Sequence, residues 1–92
     1  MSNTSNLLRE VVADKGTYIV NDATEATKTA DAIVVLEDTI FTSIKIGGVD
    51  AKANYISTPA TAVKAGAIIT PTGNLQFSGL QLTSGSVALI LG

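Results

Sequence analysis

The side chains able to do acid–base or metal chemistry are eight carboxylates, Glu10, Asp14, Asp22, Glu25, Asp31, Glu37, Asp38 and Asp50, because the chain has neither His nor Cys. Without those two residue types there are no thiolate or imidazole metal sites, no disulfides, no imidazole catalysis and no Ser-His-Asp arrangement. Glu37-Asp38 is the one adjacent acidic pair. A metal site or an acid–base pair needs two or three such groups converging in a cleft. Neighbours on a strand point to opposite faces, so this pair is expected to be a solvated strand end. Asp22 and Asp31 lie in one polar stretch, but neither their spacing nor their glycine content matches a calcium loop. Ser43 and Lys45 share a strand face and form a formal Ser-Lys dyad, which on an exposed strand is a solvent-facing contact. Gly47-Gly48 leads into Val49-Asp50 with no Lys-Ser/Thr following, so it is not a phosphate cradle. No catalytic residue, cofactor site or metal site is expected, and the chain does not read as an enzyme.

Composition narrows the classes further. The 92 residues carry 6 basic and 8 acidic side chains, 15% of the chain, against about 25% in an average domain. A net charge of −2, no Trp, two Tyr and two Phe argue against nucleic-acid binding, which needs a basic footprint and stacking platforms. The longest apolar runs, Ala32–Leu36 and Val87–Leu91, fall far short of the roughly 20 residues that span a bilayer. The opening Met-Ser-Asn-Thr-Ser-Asn lacks the basic and apolar regions of a secretory signal. No membrane association is expected.

The elements that position these residues read as strands. Ile (9), Val (8) and Thr (12) make up 29 of 92 residues, and branched side chains suit a pleated, half-buried surface. Gly, Pro and Asn/Asp punctuation recurs every ten to fifteen residues. Strands are predicted at 17–20, 32–37, 39–46, 53–57, 67–70, 74–82 and 86–91. Ile40, Thr42, Ile44 and Ile46 alternate with Phe41, Ser43 and Lys45, the period of a half-buried strand. Gly47-Gly48 then signals a two-residue hairpin. Leu75 and Phe77 are out of phase with Leu80 and Leu82, which places a bulge or bend at Gly79. The fold class expected is all-β: a small single-domain β-sandwich or β-barrel-like fold.

Two domains of behaviour are expected along the chain: residues 1–16 as an N-terminal arm or short helix, and 17–92 as the β domain. Leu7, Leu8, Val11 and Val12 recur at i, i+1, i+4 and i+5, one side of a short helix. Val-Val pairs are poor helix formers and a lone two-turn helix is marginal in water, so an extended arm lying on a neighbouring subunit stands beside the helix. Residues 21–31 and 58–66 read as exposed loops.

Fourteen charges, with 12 Thr and 7 Ser, must keep an apolar chain in solution. The runs 32–36 and 87–91 look buried on both faces, and the chain ends in Leu89, Ile90, Leu91 and Gly92 with no polar tail to blunt an edge strand. Packing against copies of itself or against a larger scaffold would cover this surplus. Leu7, Leu8, Val11, Val12, Leu89, Ile90 and Leu91 are therefore the candidate interface residues.

Two passages carry a resemblance: Val-Leu-Glu-Asp-Thr-Ile-Phe-Thr-Ser-Ile at 35–44 and Phe-Ser-Gly-Leu-Gln-Leu-Thr-Ser-Gly-Ser-Val-Ala-Leu-Ile at 77–90, with Lys-Ala-Gly at 64–66 between them. Across 35–90 the chain resembles the small capsid decoration, or cement, proteins of tailed bacteriophages. It departs from them at its end, where Leu89-Ile90-Leu91 replaces the closing aromatic. The resemblance implies a non-enzymatic virion protein, made in the host cytoplasm, that binds the outer capsid surface and stabilises the head. Its implied partners are the major capsid protein and itself, as a homotrimer. The alternative is a head fibre or tail-tip component that attaches to a host surface.

Overall fold

A computed structural model describes residues 16–92; the predicted helix or arm at the N-terminus, with Leu7, Leu8, Val11 and Val12, lies outside the described residues. Among the described residues seven strands form: β1 Thr17–Val20, β2 Ala30–Val35, β3 Ile40–Ile46, β4 Val49–Asp50, β5 Ile68–Ile69, β6 Gly79–Ser84 and β7 Val87–Leu91. They make two antiparallel sheets, one in the order β1-β7-β2-β5 and the other β4-β3-β6. Ile33, Val35, Val87 and Leu89 of the first sheet share one buried cluster with Phe41, Ile44, Leu80 and Leu82 of the second. The all-β expectation holds, in its sandwich form; the sheets do not close into a barrel.

The sandwich is one long ladder folded over at a corner. β2 pairs with β7, and β3 pairs with β6, so both chains cross between sheets at the same place. Leu36 N–H donates to Ser86 O at 3.0 Å there. Thr39, fully buried, donates its hydroxyl to Glu37 O at 2.7 Å and lies 3.3 Å from Ser86 O. Its backbone exchanges two hydrogen bonds with Val63, at 2.9 and 2.7 Å. A polar side chain in this position ties both crossings and a third segment together without leaving the hydroxyl unpaired.

Four expectations are corrected. The alternation in β3 breaks, because Phe41 faces Leu82 and Ile44 faces Leu80. Two leucines two apart share a face, so the three-residue step from Phe41 to Ile44 contains an extra residue. Thr42 is exposed and bonds Thr83 at 2.7 Å. The irregularities of this ladder therefore lie at Thr42 in β3 and at Thr83 in β6 rather than at Gly79. Gly79 marks a change of sheet instead: Phe77 bridges to Ala30 beside the first sheet, and from Gly79 the chain pairs with β3. The expected strand 53–57 is a 3-10 turn at Lys52–Asn54, with Tyr55 and Ile56 both donating to Lys52 O. The stretch 21–31 is not wholly an exposed loop: Ala26 and Ala30 are buried and hydrogen-bond Leu80 and Phe77. The hairpin at Gly47-Gly48 forms as predicted, both residues at positive φ (62° and 81°), with Ile46 opposite Val49.

Candidate functional site

The predicted chemical groups are engaged locally. Asp38 accepts hydrogen bonds from Ala65 N–H at 3.1 Å and Lys64 Nζ at 3.3 Å. The Ala65 N–H, then the Lys64 ammonium, hold its carboxyl below the ordinary carboxylate value. Asp50 accepts from Lys52 N–H at 3.0 Å, Ile44 N–H at 3.2 Å and Lys52 Nζ at 3.0 Å. The Lys52 N–H contributes most to lowering its pKa, against a smaller opposing effect of desolvation. For Asp50 this is a turn-forming role, in which a carboxylate bonds the backbone two residues on; Asp38 instead ties the segment after β2 to the distant Lys64 and Ala65. Asp22, like Asp50, accepts from the backbone two residues on, at Thr24 N–H, and Asp31 takes the Gln76 amide at 2.8 Å. The two predicted loop carboxylates thus serve different neighbours. Lys45 is ion-paired with Glu25, so its ammonium is not free to activate Ser43, which is buried. A cleft of about 140 Å³ beside β1 is lined by Tyr18 to Asp22 and Thr24 to Ala26. Its carboxylates are the ones just described, on Thr24 and on Lys45. Among the described residues no group of three or more acidic side chains gathers as a metal site.

The surface left over is the outward face of the four-stranded sheet. β7 is not an edge strand; it sits between β1 and β2, and Val87 to Ile90 are all buried. Leu89 therefore belongs to the sandwich core, and the partly buried Leu91 packs against it. Ile90 and Ala88 point the other way. Cross-strand register aligns Ile19, Ala88, Val34 and Ile68 in one row over all four strands, and Thr17, Ile90 and Ala32 in the next. Leu36 continues the same alternation beyond Val34. The rows contain no charged residue. Their centre is covered, with Ala88 at 7% and Ile90 at 5% exposure, while Ile19, Leu36 and Ile68 at the rim are 49%, 47% and 63% exposed.

The run 32–36 and the run 87–91 gave this face away in the sequence. Ile19 and Ile68 did not stand out, because each lies in a short strand whose side depends on register. The chain matches no protein-family model, no curated protein and no solved structure.

Proposed function

We propose that this protein is a non-enzymatic decoration protein of a tailed-phage head, bound to the outside of the capsid as a homotrimer and holding neighbouring capsid subunits together. The observation that carries the reading is the uncharged apolar rim of Ile19, Leu36 and Ile68 on a rigid sheet, joined to the resemblance over 35–90. Exposed side chains of this size, on one sheet face and without charges between them, mark a contact surface. A ligand that binds the assembled lattice but not free subunits stabilises the lattice by mass action. A trimer touching several subunits needs only modest affinity per copy, since each further contact is made at high effective concentration.

Co-sedimentation with assembled heads and with dissociated capsid subunits tests it. The protein should pellet with heads, remain with them from about 0.1 M to 1 M salt as screening shortens from roughly 10 Å to 3 Å, and ignore free subunits. Ile19→Asp with Ile68→Asp should weaken head binding by about tenfold or more, since burying one such side chain is worth roughly 1.5–3 kcal/mol and 1.4 kcal/mol is tenfold. Equal binding to free subunits would refute the cement mechanism.

A further inference from the structure

A strand at the end of a sheet presents unpaired N–H and C=O groups to whatever lies beside it. Among the described residues four strands stand at sheet edges, and three of them are short or covered. β4 has two residues and carries Asp50. β5 has two residues and is followed, after Thr70, by Pro71. β6 is covered on its outer side, where Leu80 and Ala26 exchange hydrogen bonds at 2.8 and 2.9 Å. Shortness, charge, proline and cover are what keep an edge from pairing with another chain. β1 has none of these: its four residues, Thr17–Val20, are uncharged, contain no proline and keep an unbroken register with β7.

The ladder decides which groups of β1 face outward. Gly16 O accepts the Leu91 N–H at 3.0 Å, and bonded pairs alternate with unbonded ones along antiparallel strands. Tyr18 with Leu89 and Val20 with Val87 are therefore the bonded pairs. The N–H and C=O groups of Thr17 and Ile19 point away from β7, and no described residue bonds them.

An extended backbone matches such an edge, and a second copy of β1 matches it completely. With two copies antiparallel about a two-fold axis, Thr17 of each faces Ile19 of the other. Every outward group of both residues then has a partner, with no residue outside the strand involved. Tyr18 falls on the axis, opposite itself, and aromatic pairs are favourable cross-strand neighbours. The Lys28 ammonium stands 5.1 Å from the centre of this ring in a cation–π contact, and the tyrosine is still 42% exposed. An unrelated strand would offer the same backbone; a second copy also brings the aromatic partner by symmetry.

We propose that the β1 strands of two copies pair antiparallel, Tyr18 against Tyr18, and join their four-stranded sheets into one. The pairing uses the backbone of Ile19 and leaves its side chain in the outward row, so it does not depend on capsid attachment. In a trimeric protein the same contact links neighbouring trimers. So short an edge buries little surface, which makes the association weak in dilute solution.

The chain contains no cysteine, so Tyr18→Cys supplies its only thiol. Two such residues on the axis are within disulfide reach, because unbonded opposite residues have Cα atoms about 4.5 Å apart. Under mild oxidation Tyr18→Cys should form disulfide-linked dimers tenfold or more faster than Val49→Cys, although Val49, at the hairpin of the other sheet, is more exposed at 69%. Equal rates would overturn the pairing. Amide exchange on the unaltered protein is an independent readout. Exchange at Thr17 and Ile19 should slow several-fold from micromolar to millimolar protein. Rapid exchange at both concentrations would overturn the proposal. Slow exchange at both would overturn it too, since so short an edge does not hold two copies together at micromolar protein and the chain must then cover its own edge.

Discussion

Thr39 shows how a single polar side chain is retained inside an apolar corner. Its hydroxyl reaches Glu37 O while both backbone groups are taken by Val63, so every polar atom it buries has a partner. Thr39→Val keeps the shape and removes the donor. The expected cost is about 1–3 kcal/mol, the penalty for a buried acceptor left unpaired, read from chemical denaturation; an unchanged midpoint would contradict the role given to the hydroxyl. The carboxylates make a second prediction. Asp38 and Asp50 are both held below their ordinary value of 3.8 in the folded chain. Their contribution is therefore present above that value and is lost as pH falls through the lower folded values. Stability should be flat above about pH 5 and decline below it. Asp50→Asn should be less stable than the parent at pH 7 and should lose less on acidification. An acid limb as steep as the parent's would show that the Lys52 and Ile44 contacts do not bias Asp50.

At the scale of elements, the close approach of Gly79 to Ala26 decides where the chain changes sheets. A Cβ on Gly79 would lie 2.6 Å from Ala26 O, and that carbonyl already accepts the Leu80 N–H at 2.9 Å. Gly79→Ala should destabilise the fold by roughly 1–3 kcal/mol, as overpacking does, and speed hydrogen exchange at Leu80; an unaltered melting curve would argue against a tight crossing. How far the elements were legible follows from what each signal measures. β1 matches its predicted bounds, and β3 and β7 match within one residue at their starts, because dense branched residues between turn formers mark strands through local preference. The start of β2 was missed because Ala30-Asp31 looks like loop, and only pairing with Leu91 and Phe77 makes it strand. Residues 53–57 have strand-like Tyr55 and Ile56, but the Asp50 carboxylate caps the Lys52 N–H and turns the chain. The bulge near Thr42 is invisible in composition, since it is fixed by the partner strand. The same holds for the candidate site: its central strands were visible as apolar runs, whereas Ile19 and Ile68 join it only through register.

For the molecule as a whole, the division of apolar surface is what matters. One face of the four-stranded sheet closes the sandwich; the other carries Ile19, Leu36 and Ile68 outward on a scaffold whose Asp38 and Asp50 carboxylates are held by backbone N–H groups. On the proposed reading such a scaffold contributes binding free energy rather than chemistry. If that energy is spent on an assembled shell, the shell must become harder to break. The direct measurement is genome release on heating from phage heads prepared with and without the protein. Heads that carry it should retain their genome to a higher temperature, and adding the purified protein back to bare heads should restore the difference. Coincident release curves for the two preparations would contradict the assignment as a cement protein.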